Sequence, residues 1–136
     1  MDWDSAEGKK LAERLRKEMV IWLTTVRPDG MPMPTPVWFL WEGDSFLIYS
    51  QPDTFKLRNL AANLKASLNL NCDEWGDAVA VFTGEVTMEK EGRPAIENGA
   101  YLEKYRESIR DIQMTPETFS KEYSVALHFK VKKVRA

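Results

Sequence analysis

The chain has 136 residues and a single cysteine, Cys72, so it is the size of one domain and can form no internal disulfide, as suits a reducing cytoplasm. Its net charge of −2 and pI of about 5.5 argue against nucleic acid as a partner, since such domains are usually basic. Met1–Lys10 is charged without an apolar stretch, unlike a signal peptide, and no apolar run reaches membrane-spanning length. The expectation is a soluble cytoplasmic protein with no membrane partner.

Ser5–Met19 reads as a helix, with Leu11, Leu15 and Met19 every four residues and charges on the other faces. Val20–Val26 is β-branched and apolar and predicts a strand. Arg27-Pro28-Asp29-Gly30 signals a turn, and Met31–Trp41 returns as a second strand. After Glu42-Gly43-Asp44, Ser45–Ser50 comes back as a third, which makes Val20–Ser50 a β-meander. Pro52-Asp53-Thr54 stops that strand and opens a helix with Asp53 or Thr54 as its cap and Leu57, Leu60, Ala61 and Leu64 as its buried stripe.

Ser67–Cys72 predicts a fourth strand, Asp73–Asp77 an acidic loop carrying Trp75, and Ala78–Met88 a fifth strand. Pro94–Arg110 is helical, with Leu102, Tyr105 and Ile109 at helical spacing. Thr115-Pro116-Glu117-Thr118 places proline at the first position of a short helix reaching Tyr123. Ser124–Val134 closes the chain as a sixth strand. Six strands with short helices at their joints predict a mainly β (α+β) fold, a closed or nearly closed antiparallel barrel, in a single domain covering residues 1–136.

Two segments carry the functional signal. Pro32, Pro34 and Pro36 alternate in one strand, and alternate residues aim their backbone toward the same edge, so that edge lacks three amide donors. Two uses fit this comb: a gap in the barrel whose free peptide groups meet a ligand, or protection of an edge against aggregation. Ser50–Asn59 runs from a strand end into a helix start, where unpaired N–H groups and the helix dipole favour anions. Lys56 and Arg58 add charge there, and Ser50, Gln51, Thr54 and Asn59 add neutral polar groups. On a regular helix, however, Arg58 points away from Lys56 and Asn59, and an ordinary helix with solvated cations fits the same pattern.

Of five tryptophans, Trp38 beside the proline comb is the best candidate for stacking on a ring, and Trp75 in its loop is a candidate to fold over a ligand. His128, the only histidine, lies in a strand between Leu127 and Phe129 and reads as structural; with one histidine and one cysteine, a conventional zinc site is not expected. No catalytic carboxylate pair, nucleophile motif, P-loop or GxGxxG is present, and no proton donor can be named. Lys130, Lys132, Lys133 and Arg135 read as the solvated end of the last strand.

The segments Ile21–Val26, Asp29–Pro32, Pro36–Leu40 and Lys56–Leu60 together resemble the pyridoxamine 5′-phosphate oxidase-like split-barrel superfamily, most closely its deazaflavin (coenzyme F-420)-dependent reductase branch. Ala100–Tyr105 and Thr115–Val125 are similar to that branch's C-terminal part, so the resemblance spans nearly the whole chain. It implies a six-stranded antiparallel split β-barrel of Greek-key type with peripheral helices, and a homodimer with two cofactor sites at the subunit interface. It further implies that Thr35, Pro36, Val37 and Trp38 meet the ring system, Ser50 and Gln51 border the ring and its ribityl chain, and Lys56, Arg58 and Asn59 bind the phosphate. The Arg-x-His motif of the true pyridoxamine 5′-phosphate oxidases is missing from Leu127–Lys132, which argues against that reaction. The expected function is hydride transfer between a bound deazaflavin and a small organic acceptor. An FMN-dependent oxidase or flavin reductase, and a non-enzymatic flavin or haem carrier, are the alternatives.

Overall fold

The computed structural model describes residues 1–89 and 92–136. Helix α1 (Ala6–Lys17) leads into β1 (Ile21–Val26), β2 (Pro32–Val37), β3 (Leu40–Trp41) and β4 (Ser45–Ser50). Helix α2 (Phe55–Ala62), β5 (Lys65–Asn69) and β6 (Val81–Glu89) follow. A 3-10 turn at Ala95–Glu97, α3 (Gly99–Asp111), α4 (Pro116–Glu122) and β7 (Val125–Arg135) complete the chain. The strands form one curled antiparallel sheet in the order β2-β1-β5-β6-β7-β4-β3, a half-barrel with helices against it.

Seven strands stand where six were expected, because the predicted Met31–Trp41 strand breaks at Trp38-Phe39. Its first part pairs with β1, from Ile21 opposite Val37 to Val26 opposite Pro32. Its second part pairs with β4, Leu40 opposite Leu47 and Trp41 opposite Phe46. The expected meander is thus two hairpins whose inner strands, β2 and β3, form the two margins of the sheet. The break has a definite cause. The buried Phe39 N–H donates to the Tyr105 hydroxyl at 2.8 Å, and the Phe39 carbonyl accepts from Lys104 Nζ at 2.9 Å. Side chains of α3 therefore satisfy the peptide groups that a neighbouring strand would otherwise have to meet.

The proline comb lies on a sheet margin. Because Pro32, Pro34 and Pro36 cannot donate, the ladder to β1 must use the N–H groups of Met33, Thr35 and Val37, and the three prolines face outward and are exposed. In β6 a bulge falls at Thr83/Gly84, where a Cβ on Gly84 would lie 2.0 Å from the Lys130 carbonyl oxygen; only glycine allows that approach to β7.

Two apolar cores sit on opposite faces of the sheet. One joins Leu23, Phe46, Leu68, Phe82 and Phe129 to Leu11 and Leu15 of α1 and Leu60 of α2. The other joins Leu47, Tyr49 and Ala126 to Tyr101 and Tyr105 of α3 and Phe119 of α4. Strand β4 lies between them and is buried at every position, so its sequence shows little polar alternation. The predicted Pro94–Arg110 helix is divided at Asn98, whose side chain caps α3 by accepting from the Tyr101 N–H at 3.1 Å and donates to the Tyr49 hydroxyl at 3.2 Å. Thr115 and Thr118 form a reciprocal cap on α4 with Pro116 at its first position. No described helix is long and apolar enough to cross a membrane.

Candidate functional site

Where the chain leaves β2, the Trp38 ring lies flat on Tyr105, 4.7 Å between centroids at 4°, and nearly parallel to Phe119 at 5.6 Å. The Phe39 bonds to α3 hold the backbone here, so Trp38 cannot continue the strand and turns instead toward α3 and α4. Beside it opens a cavity of about 330 Å³. It is lined by Pro36, Val37 and Trp38 from the end of β2, by Tyr101, Phe119 and Tyr123 from α3 and α4 and the residue after it, and by Ile112 from the loop between α3 and α4. Tyr49, Gln51 and Lys56 supply the remainder, from β4 and the start of α2. The result is a cavity lined by aromatic side chains together with one cation, a lining that suits a planar ring carrying an anion.

Lys56 is half-buried, and loss of hydration pushes its ammonium below the ordinary lysine range. Among the described residues it has no ion-pair or hydrogen-bond partner. Thr54 caps α2 by position, yet its side chain makes no capping bond, and its Oγ1 is buried without a partner. The first intrahelical bond of α2 runs from the Arg58 N–H to the Thr54 carbonyl oxygen, so the N–H groups of Phe55, Lys56 and Leu57 are unused within the helix. One ammonium, one hydroxyl and a helix start thus lie within three successive residues without partners among the described residues, Lys56 in the cavity lining and Thr54 outside it; such donors suit an oxyanion.

The expected site residues divide by position. Pro36, Val37, Trp38, Gln51 and Lys56 line the cavity together. Thr35 is half-buried on β2 opposite Leu23. Ser50 is buried at the end of β4 and donates to the Gln51 carbonyl oxygen at 2.8 Å. Arg58 curls back over the helix start and donates to the Asp53 carbonyl oxygen at 2.7 Å. Asn59 turns inward, where its Nδ2 donates to Thr25 Oγ1 at 3.0 Å. Trp75 is 79% exposed in its loop, outside the cavity lining. His128 stands on β7 opposite Leu47 and Thr87, also outside that lining.

Tyr49, Tyr101, Phe119 and Tyr123 were not singled out as lining residues from the sequence. Tyr49 donates to the Arg93 carbonyl oxygen at 2.7 Å, and burial raises its phenol above the usual range. Burial raises Tyr101 and Tyr123 as well. The only sequence signal was the spacing of Tyr101, Tyr105 and Ile109, which any core stripe would share. No group of three or more metal-ligating side chains occurs among the described residues.

Residues 8–136 match the family model described as pyridoxamine 5′-phosphate oxidase. The chain belongs to that family. Solved structures with the fold of this pyridoxamine 5′-phosphate oxidase family member include an F420 reductase, 21% identical, covering 90% of this chain and 94% of that one with a TM-score of 0.66. A protein from Listeria innocua described as a putative pyridoxamine 5′-phosphate oxidase is 20% identical, covering 93% and 94%, with a TM-score of 0.68. HutZ, described as the haem storage protein of Vibrio cholerae, is 13% identical, covering 94% and 92%, with a TM-score of 0.66. At these identities the likeness is one of fold. Comparison with curated proteins returned no match.

Proposed function

We propose that the cavity seats the ring of a deazaflavin of the coenzyme F-420 type, and that the protein is an oxidoreductase moving hydride between that cofactor and a small organic acceptor. The observation that carries this reading is the half-buried Lys56 ammonium at the start of α2, unpartnered among the described residues and lining a cavity together with aromatic side chains. Lys56, the Thr54 hydroxyl and the first N–H groups of α2 would hold the phosphate. Trp38 and the Pro36–Val37 edge would border the ring, and Gln51 would meet its polar margin. The cofactor, when bound, supplies the hydride; the chain's residues orient it and keep water from its face.

The outer edge of β2 constrains the binding mode. Backbone N–H and C=O groups of one strand residue project to the same side, so the edge at Pro36 offers an acceptor without a donor. Donors to ring oxygens must come from elsewhere around the slot. A homodimer is part of the proposal. Thr24, Ser67 and Thr83 align across β1, β5 and β6 on the face opposite Leu23, Leu68 and Phe82, and that face is only partly covered. It leaves a surface for a second copy, which chains of this size often use to complete their burial.

FMN carries the same ring plan and phosphate, so parallel titration with FMN and the deazaflavin is the deciding experiment, followed by tryptophan fluorescence through Trp38. Saturable quenching at lower concentration by the deazaflavin supports the proposal. Tight binding of FMN alone replaces it with the FMN reading, and binding of neither removes both. Tight binding of a reduced cofactor that transfers nothing to a quinone, enone or nitro compound would identify a carrier. For haem, the position of His128 outside the cavity lining leaves this slot without a histidine ligand.

A further inference from the structure

A second cavity, of about 590 Å³, opens between α1, β3 and α3 and shares no lining residue with the first. Its lining is mostly apolar: Ala12 and Leu15 of α1, Leu40 and Trp41 of β3, and Ala100 of α3. Arg16, Glu103 and Lys104 complete it. Arg16 is exposed and bound to Glu13 at 2.6 Å, and Glu103 is exposed as well. Lys104 differs from both. It is half-buried, and its Nζ donates to the Phe39 carbonyl oxygen at 2.9 Å and to the Leu15 carbonyl oxygen at 3.4 Å. Leu15 lines the cavity, and the Phe39 carbonyl belongs to the peptide that enters Leu40, so these bonds hold the ammonium at the cavity's border. Nζ also lies 3.7 Å from the centroid of the buried Phe39 ring. Among the described residues no carboxylate forms an ion pair with it. Glu18, the acid whose field reaches it, is bound to Arg14 at 2.7 Å.

We propose that this second cavity binds a medium-chain fatty acid, with its carboxylate on Lys104 and its chain among Leu15, Leu40, Trp41 and the two alanines. A cation drawn partly out of water is costly unless an anion compensates it. The two carbonyl oxygens take two of the three ammonium N–H groups, which leaves one donor and the whole charge for a ligand. Water can meet the donor, but only an anion compensates the charge. A small hydrated anion would leave the apolar lining wet, whereas an aliphatic chain covers it. The volume is that of a small-molecule site. Lys104 also borders a neighbouring cavity with Glu103, Arg106 and Glu107, but that lining gives a chain little to bury against. The site is independent of what the first cavity holds.

Octanoate is the probe. Loss of hydration lowers Lys104 to about 8, and a bound carboxylate raises it again, so octanoate binding at about pH 8.5 should take up a proton. The other groups that face Lys104 are Glu18, Arg16 and Glu103, together with the Tyr105 phenol, which burial keeps protonated. Calorimetric titration in two buffers of different ionisation enthalpy reads both the affinity and the proton. Lys104→Met should raise the dissociation constant for octanoate about 10–150-fold and remove the proton uptake. Ala100→Trp leaves Lys104 in place and fills the cavity, so it should abolish binding; where Lys104→Met fails to fold, this variant and the wild-type proton uptake carry the test. Absence of saturable octanoate binding by the wild type overturns the proposal. So does wild-type affinity in either folded variant, or binding by the wild type without proton uptake. None of these results bears on the first cavity, which is tested separately with FMN and the deazaflavin.

Discussion

Tyr105→Phe tests the cause assigned to the break between β2 and β3. The substitution keeps the ring on which Trp38 stacks and deletes one oxygen. That oxygen accepts from the buried Phe39 N–H at 2.8 Å and donates to the Met19 carbonyl at 2.8 Å. The Phe39 carbonyl keeps Lys104 as its donor. The loss is therefore one fully buried amide, worth about 1–3 kcal/mol when unpaired, plus a smaller amount at the half-buried Met19. A total of about 2–3 kcal/mol follows. For a chain of 136 residues each kcal/mol moves the melting temperature by about 3–4 °C, so the midpoint should fall by about 7–10 °C. Thermal unfolding followed by circular dichroism reads this directly, and tryptophan fluorescence should report a loosened Trp38 before the global transition. A drop below about 3 °C would refute the argument, because water or a rearranged backbone would then serve Phe39 as well as the phenol does.

Lys56→Met should weaken binding of the phosphorylated cofactor by about 10–150-fold, the range set by one charge-assisted bond of about 1.5–3 kcal/mol, without destabilising the unliganded protein; equal affinity for both proteins by isothermal titration would remove Lys56 from the site. Lys104 is depressed to about 8 by burial, against an ordinary 10.5, so between those values the unfolded chain holds a proton that the folded chain does not, and stability rises with pH across that window. In urea unfolding the wild type should therefore gain on Lys104→Met from pH 8 to 10.5, and a flat difference would contradict the shift. Asn59→Ala should lower stability by about 1–3 kcal/mol through the orphaned Thr25 hydroxyl, measured by the same unfolding assay; loss of cofactor affinity with unchanged stability would instead return Asn59 to the phosphate site. Gly84→Ala should unfold the protein or force the β6–β7 ladder apart, since its Cβ would meet the Lys130 carbonyl oxygen, and amide exchange at Gly84–Val86 would show it.

Elements governed by local periodicity were legible. The turn at Arg27–Gly30 and the cap at Thr115 each depend on residues a few positions apart and form as their sequence predicts, and so does the Leu11–Leu15 part of the α1 stripe; Met19 lies beyond the helix end at Lys17 and packs into the other core. The break at Trp38-Phe39 was not legible, because its cause is Tyr105, 66 positions away, and only the folded chain brings them together. Pro36, Val37, Trp38 and Lys56 could be singled out because a proline comb and a helix start are local signals. Tyr101 and Phe119 could not, since they follow the same spacing rules as core residues. At the helix start, the expected divergence of Arg58 from Lys56 is visible in its bond to Asp53, which keeps the guanidinium on its own helix end.

The two local signals and the distant one depend on each other. Removing alternate donors from β2 prevents a regular ladder on its outer margin, so β3 cannot close the sheet there. Without a partner on that side, the chain after Val37 must satisfy its peptides elsewhere, and Tyr105 and Lys104 do so. Their bonds turn Trp38 against α3 and α4, where its indole joins Tyr101 and Phe119 in the cavity lining. Restoring a single donor by replacing Pro34 would not rebuild the ladder, because a strand needs its donors at every second position and Pro32 and Pro36 would still lack theirs. The slot is thus a consequence of a sheet kept open on one margin, and its contents depend on the side chains that take over the hydrogen bonds the sheet gives up.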